Sequence, residues 1–520
     1  MLDLNIIEQT KQILANLEAE FTLRAEYSDN DAHATEFKQF VTDFAGVSDK
    51  INIQWHESSD AKLLITILKN NQETGIAFRG MPEGHEYSSL LLALLNADGK
   101  GKNLPDPAII ARIKNIKGTL KLKTYMSLSC TNCPDVVQAL NIIALNNPAI
   151  THETIDGALF QNEINSLNIQ GVPAVYAEGE LLHSGRGDLA QLLQKIEDRF
   201  GVENNTETVE HRFDVIVLGG GPAGASAAIY SARKGLRVAI VAERIGGQVN
   251  DTSAIQNLIS VTETNGTKLA ANLREHLQAY NVQLFEHRTI TATQLKGSQK
   301  RITARGGETF IAPAVIIATG ASWRRLNLEN EEKYIGRGVH FCPHCDGPFY
   351  KGKDVVVVGG GNSGLEAAID LAAICRKVTV FEFTDTFRAD EVLKNKALQT
   401  PNISLHTNTQ TTGLIGDEQS LSLVTYRNTV TAEEDAIEVD GIFIQIGLSP
   451  NSKIFANELQ LTQRGEIEID ASCRTGIPGV YAAGDVSTVP YKQIVVAMGE
   501  GAKAALSAFD DRMRGIIPSE

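Results

Sequence analysis

Four of the chain's six cysteines stand in two Cys-x-x-Cys pairs, Cys130-Thr-Asn-Cys133 and Cys342-Pro-His-Cys345, while Cys375 and Cys473 stand alone. Two sulfurs at this spacing serve either thiol–disulfide exchange or tetrahedral zinc coordination. Zinc pairs usually lie close together in sequence, whereas these two fall in segments assigned to different domains, so exchange is the reading adopted and no metal site is expected. Cys130 follows a strand and stands at a helix start, where the helix dipole and free N–H groups stabilise a thiolate. That makes Cys130 the outward nucleophile and Cys133 the sulfur that resolves a mixed disulfide from inside the first turn. Cys375, in the apolar run AAIDLAAIC, and Cys473, in a polar connection, have no paired thiol and read as structural. The histidines form no His-x-x-x-His constellation and read mostly as surface residues.

Two glycine motifs supply the other chemistry. FDVIVLGGGPAGASAA at 213–228 and KDVVVVGGGNSGLEAA at 353–368 are internal repeats, each a buried strand, a glycine turn and a small-residue helix start. In Gly219-x-Gly221-x-x-Gly224 and Gly359-x-Gly361-x-x-Gly364 the glycines allow the tight turn, close approach to a pyrophosphate, and close helix–strand packing. Glu243 ends the strand VAIVAE and Glu382 ends VTVFE, each placed to accept hydrogen bonds from a ribose diol. A carboxylate at Glu382 repels a 2′-phosphate, which favours NADH over NADPH, although Arg388 lies close enough in sequence to weaken that preference.

The elements that position these residues divide the chain. Residues 104–200 alternate strands and helices: LKLKTYMSL, a helix from Pro134 through Leu145, the hairpin AVYAEGELLHSG and a closing helix near 187–199. This order resembles a thioredoxin fold, and Pro173 in GVPAVY matches the proline that lies cis against the dithiol in such folds. Residues 1–103 follow a similar order without cysteine, with a helix near 5–18, strands near 51–55 and 61–68, and a helix near 87–96; they read as a degenerate copy. In that copy RGMPEGHE at 79–86 takes the place of GVP, with Pro82 the counterpart of Pro173. Glu86 then faces the dithiol, where it would tune Cys130 or move a proton, or else it is a solvated helix-start acid. Polar GVENNTETVE at 201–210 reads as a linker of about 15–20 Å reach.

A chain of 520 residues, 42% hydrophobic and 21% charged, is neither disordered nor membrane-embedded and needs several domains. Its formal charge of −15 argues against nucleic acid and anionic membranes. The acidic N-terminus and the lack of a long apolar run lead to the expectation of a cytoplasmic protein.

Residues 211–520 resemble bacterial thioredoxin reductases through Gly246-Gly247-Gln248, Asn257, Ala318-Thr319-Gly320, the CPHCD segment at 342–346 and GVYAAGD at 479–485. The resemblance implies that the first glycine motif and Gly484-Asp485 hold FAD, with Lys492-Gln493 near the flavin, and that the second motif holds the nicotinamide cofactor. It also implies a domain rotation that presents nicotinamide and dithiol to the flavin in turn. Cys345 would face the flavin, Cys342 would exchange with the next disulfide, and Asp346 is the candidate proton donor and acceptor.

Over the whole chain the combination resembles the flavoprotein component of bacterial alkyl hydroperoxide reductases. The implied fold is α/β: tandem thioredoxin-like folds (1–103 and 104–200), the linker, then two Rossmann-like domains, FAD at 211–328 and 452–520 and NADH at 329–451. The implied route runs from NADH through FAD, Cys345/Cys342 and Cys133/Cys130 to the disulfide of a partner peroxiredoxin, in a homodimer. A general thioredoxin or glutaredoxin reductase, an NADH oxidase and a redox-sensing regulator remain as alternatives. The charge at Glu382 predicts a higher kcat/KM with NADH than with NADPH; equal or better turnover of NADPH would overturn that reading.

Overall fold

The computed structural model describes residues 4–59, 62–101, 104–130, 133–169, 171–203, 209–251, 255, 258–329, 331–335, 337–341, 343–417 and 420–518. They belong to two compact units, Met1–Glu203 with Arg324–Gly447, and Asn204–Trp323 with Leu448–Glu520.

In the first unit, the N-terminal elements are α1 (Leu4–Leu14), β1 (Phe21–Tyr27), α2 (Ala34–Ala45), β2 (Ile51–Glu57), β3 (Leu64–Lys69), β4 (Gln72–Arg79), α3 (Tyr87–Ala97), α4 (Pro107–Lys114), β5 (Leu120–Met126), α5 (Cys133–Asn146), β6 (Ile150–Asp156), α6 (Gln161–Ser166), β7 (Ala174–Ala177), β8 (Glu180–Ser184) and α7 (Leu189–Phe200). The expected tandem thioredoxin-like folds are present, and they share one eight-stranded sheet in the order β2-β1-β3-β4-β6-β5-β7-β8. The halves join where β4 runs parallel to β6, from Ile76 opposite His152 to Arg79 opposite Ile155. Local chemistry explains the elements. Leu120 and Leu122 of β5 are buried while Lys121 points to solvent. Asp106 caps α4 by accepting the Ala108 and Ile109 N–H groups, with Pro107 in the first turn, and Asp188 caps α7 through Gln191 N–H.

The seam is held by Arg79, whose side chain is 1% exposed. Its guanidinium donates to both oxygens of Glu163 at 2.5 and 2.7 Å, and its Nε lies 2.7 Å from Glu153. The Tyr125 hydroxyl donates to Glu163 at 2.9 Å, and the Phe160 ring lies 4.6 Å from the guanidinium carbon. Glu163 and Glu153 come from the second half, so a single arginine ties the two copies together.

Pro82 requires a correction. It follows β4, in the place that Gly185 takes after β8, whereas Pro173 precedes β7; the residues before β3 are the topological equivalent. Among the described residues only Val172–Pro173 is a cis peptide. At the two ends of the expected linker, Val202 bridges to Ile116 and a strand begins at Glu210.

The rest of the first unit is a parallel sheet in the order Val339–His340, Gly441–Ile444, Asp354–Val358, Lys377–Phe381, Ile403–His406, with a three-stranded antiparallel sheet beside it. The second unit has its own parallel sheet, in the order Gln283–Phe285, Val238–Ile245, Val215–Gly220, Ala314–Ile317, Val480–Ala482. The central strands are apolar throughout because both faces are covered. The closing strand, Val480–Ala482, comes in sequence from beyond the inserted stretch Arg324–Gly447, and the helix Ile494–Met513 follows it. Among the described residues no helix is long and apolar enough to cross a membrane.

Arg79→Met is expected to destabilise the N-terminal domain by about 3 kcal/mol at neutral pH, read from that domain's thermal transition in the full chain. Arg79 holds the Glu163 carboxyl down to about 2, so this contribution is complete above about 4.5 and is lost as pH falls toward 2. The variant's deficit should therefore shrink below about pH 4, and a pH-independent deficit would contradict the assignment.

Candidate functional site

Cys130 and Cys133 are joined as a disulfide with Cα atoms 5.6 Å apart. Cys133 begins α5 and is fully buried; Cys130, at the end of the loop from β5, is half-buried. The Cys133 N–H points at Cys130 Sγ from 3.1 Å, the helix-start contact that lowers the cost of negative charge on that sulfur. The Val172 carbonyl oxygen lies 3.9 Å from the same sulfur, and the Val172–Pro173 peptide that follows is cis, as its match to thioredoxin folds implies.

Met126, Cys133 and Val172 form a small apolar cluster with Leu128, Cys130, Ile169 and Phe349. Phe349 belongs to the turn Gly347–Tyr350, which directly follows Cys345 and Asp346 in sequence. Phe349 is thereby seated against the first dithiol. Arg337 lies by Tyr176, where its charge partly offsets the effect of burial in pushing up that phenol.

Glu86 is fully buried. It closes the short helical turn Gly84–Glu86, which lies against the loop before Cys130: His85 N–H donates to the Leu128 carbonyl at 3.1 Å. Burial, assisted by the nearby charge of Asp135, pushes its carboxyl up to about 7. Ser89 favours the charged form slightly, but among the described residues no well-formed hydrogen bond reaches either carboxylate oxygen. Of the two readings of Glu86, the solvated acid is excluded.

Cys342 and Asn257 lie outside the described residues, and Cys345 falls in the short helical turn Pro343–Asp346. Asp346 Oδ2 lies 3.1 Å from Nδ1 of His340, whose Nε2 is 2.7 Å from the Tyr350 hydroxyl. Most of the described histidines are at least partly exposed, in line with the expectation, and the exceptions are His340, His152 and His183, which are buried. Burial holds the last two neutral, pulling His152 down to about 3 and His183 to about 4. Cys375 lies beyond its helix, which ends at Ala372, and burial pushes its thiol up to about 11. Cys473 is buried with Sγ 3.0 Å from a Glu500 oxygen, which together with burial pushes the thiol far up. Among the described residues no cluster suited to a metal ion occurs.

The nucleotide sites pass a simple steric test. A Cβ on Gly219 would stand 2.2 Å from the Ala318 carbonyl oxygen, and one on Gly224 1.9 Å from that of Gly219, whereas one on Gly221 meets nothing nearer than 3.9 Å. Gly359 and Gly364 are equally confined, while Gly361 faces open space. The first and third glycines are thus required by packing, and the second leaves the cradle that a pyrophosphate takes at a helix N-terminus. Both motifs fit a dinucleotide.

Glu382 is fixed over its turn, accepting Gly360 N–H at 2.6 Å with one oxygen and the Thr384 N–H and hydroxyl at 2.8 and 2.6 Å with the other. Arg388 is exposed and its backbone N–H is bonded to the Gly360 carbonyl, so it springs from the same turn. Glu243 is exposed, and its strand runs two residues past it to Ile245. Gly247 and Gln248 open the short helix Gly247–Asp251. Thr319 and Gly320 are held by Asn451, whose side-chain amide donates to the Thr319 carbonyl at 2.9 Å and whose backbone carbonyl accepts the Thr319 hydroxyl at 2.8 Å. Gly484, at φ 75°, lets the Asp485 turn pass Ala223 of the first motif. Burial pushes the Asp485 carboxyl up against the opposing charge of Lys492. Lys492 is itself bonded to the Ser487 carbonyl and to Glu466, and Gln493 caps the helix Ile494–Met513. Asn451, His340, Tyr350 and Phe349 carry no motif and were not anticipated.

A family described as pyridine nucleotide-disulphide oxidoreductase matches residues 213–501, and one described as thioredoxin domain matches 120–197. The alkyl hydroperoxide reductase F protein of Pseudomonas aeruginosa is 45% identical over 100% of both chains. That of Staphylococcus aureus is 42% identical over 98% of this chain and 99% of its own. Among solved structures, thioredoxin reductases of Lactococcus lactis (33% identity, TM-score 0.53) and T. acidophilum (36%, 0.52) each cover 58% of this chain and 99% of their own.

Glu86→Gln should remove a step near pH 7 from the pH dependence of Cys130 alkylation in the reduced protein. An unchanged thiol titration would separate Glu86 from the dithiol. A carboxyl whose folded value lies above its unfolded one favours unfolding as pH rises between the two. The variant should therefore gain stability over wild type from about 4.5 upward, in full above about 7.

Proposed function

Since the chain belongs to the alkyl hydroperoxide reductase F family of FAD-dependent pyridine nucleotide-disulphide oxidoreductases, we propose that it carries electrons from NADH through two successive dithiols to the disulfide of a partner peroxiredoxin. The cofactors of this family are FAD and a nicotinamide dinucleotide; bound FAD supplies acceptance of hydride and delivery of the electron pair to a disulfide. The net reaction is NADH, a proton and a disulfide giving NAD⁺ and a dithiol. Everything else falls to residues of the chain.

Gly219, Gly221 and Gly224, with Gly484 and Asp485, would bind FAD, supported by Glu243, Gln248, Thr319 and Gln493. Gly359, Gly361 and Gly364 would bind the nicotinamide cofactor, with Glu382 oriented toward the ribose diol. Cys345 and Cys342 receive the electron pair first. Cys342 then attacks the Cys130–Cys133 disulfide, while Asp346 takes the thiol proton and returns it to the displaced sulfur. Cys130, the more exposed sulfur of its pair, attacks the partner's disulfide, and Cys133 resolves the mixed species. Glu86, with a carboxyl near neutrality, is suited to hold a proton beside Cys130.

The observation that carries this reading is the packing of Phe349, from the segment of the second dithiol, into the apolar cluster of the first. A thioredoxin-type dithiol lies near about −270 mV, so electrons run downhill from NADH toward an oxidised peroxiredoxin. Fusion to the reductase also raises the dithiol's effective concentration, making it a built-in substrate.

Cys130→Ser is expected to keep NADH-dependent bleaching of the flavin and to lose turnover of a purified peroxiredoxin disulfide. Equal turnover by both proteins would mean that electrons leave from Cys342 or from the flavin, and would end the two-dithiol reading.

A further inference from the structure

Asp346, His340 and Tyr350 form a line of hydrogen-bonded polar groups within the nicotinamide domain. The His340 side chain is 2% exposed, that of Asp346 13%, and Tyr350 is fully buried. His340 sits on the edge strand Val339–His340, its ring stacked on Phe443 with centroids 5.3 Å apart and set edge-on to Tyr350 at 5.2 Å. The space for this arrangement is built in: a Cβ on Gly441 would stand 2.4 Å from the Tyr350 ring. His340 is therefore held in one orientation by packing, with one nitrogen 3.1 Å from Asp346 and the other 2.7 Å from the tyrosine hydroxyl.

A neutral imidazole has one donor and one acceptor, and its partners decide which is which. Burial and the nearby carboxylates of Asp346 and Asp440 push the Tyr350 phenol far up, while Lys353 Nζ lies 5.5 Å from its ring centroid. The phenol thus stays protonated and donates to Nε2. The imidazole proton is assigned to Nδ1, where it is donated to Asp346.

We propose that His340 is a positioning residue for Asp346, holding its carboxylate in one orientation for accepting the Cys342 proton, with Tyr350 fixing the imidazole tautomer. This rests on the assignment of Asp346 as the proton acceptor at the second dithiol. In that step the Cys342 S–H bond breaks and its proton passes to Asp346. The sulfur bonds to a disulfide sulfur, the old S–S bond breaks, and its electron pair leaves on the displaced sulfur, which is then protonated. Without the Nδ1 donor the carboxylate is no longer held in that orientation, and proton transfer from Cys342 slows.

The test uses the holoenzyme with Cys130 and Cys133 replaced by serine, so that only the Cys342/Cys345 pair exchanges. The probe is 5,5′-dithiobis(2-nitrobenzoic acid), mixed with NADH-reduced enzyme across a pH series. Bleaching of flavin absorbance by NADH reports folding and cofactor binding. Asp346→Asn should slow exchange at every pH. His340→Phe, which keeps the stacked ring, should slow exchange about tenfold. His340→Asn, which restores an N–H donor, should recover most of the rate, and Tyr350→Phe should slow exchange by a smaller amount than His340→Phe. An unchanged rate in His340→Phe, or a loss that His340→Asn does not recover, with exchange slowed in Asp346→Asn, overturns the role of His340 alone. Unchanged exchange in Asp346→Asn removes the assignment on which it rests. Should His340→Phe fail to retain flavin, Tyr350→Phe decides, and an unchanged rate there overturns the proposal.

Discussion

Thiol–disulfide exchange moves electrons only between sulfurs that come into line and into contact, since it proceeds through a mixed disulfide. A protein that passes electrons between two dithiols must therefore bring one against the other, and in this chain Phe349, which follows Cys345 and Asp346 in sequence, packs with Met126, Cys133 and Val172 around the first pair. The rest of the N-terminal domain serves that spot. β5 and α5 deliver Cys130 and Cys133, the Val172–Pro173 peptide lies against the Cys130 sulfur, and the Gly84–Glu86 turn of the first half backs the loop from β5. Burying one large apolar side chain contributes at most about 3 kcal/mol, a magnitude suited to a contact that must form and release.

Burial with or without a partner sets the proton chemistry. Glu163 loses much of its water but accepts hydrogen bonds from Arg79, so its carboxyl is held at about 2 and serves structure. Glu86 loses its water with no comparable partner, and its carboxyl rises to about 7, where a proton can move at neutral pH. The same desolvation thus yields a structural clamp in one place and a titrating group in another, according to what hydrogen-bonds to the carboxylate.

The parts legible from the amino-acid order are those whose chemistry is local. The glycine motifs, the acid after the Lys377–Phe381 strand, the two cysteine pairs and the hairpin of β7 and β8 each announce themselves within a short window, because turn geometry and buried-strand patterning are local constraints. The joining of two thioredoxin-like folds into one sheet was not legible, since the β4–β6 pairing depends on two edges meeting across distant sequence. Arg79 looks like any strand arginine until Glu153 and Glu163 arrive from the other half. Pro82 was misplaced because its local surroundings resemble those of Pro173, while its place in the strand order differs. His340 and Asn451 were missed for a related reason: each acts through hydrogen-bonded neighbours brought together by the fold rather than through a motif.

The most direct test of the relay is to trap its central intermediate. In a chain carrying Cys133→Ser and Cys345→Ser, one sulfur of each pair remains, and mild oxidation followed by peptide mapping reads which sulfurs have met. The account predicts a disulfide between Cys130 and Cys342 within one chain, formed faster than cross-links between chains. If Cys130 and Cys342 stay unpaired, or pair only between different molecules, the two dithiols of one chain do not meet and the relay is contradicted.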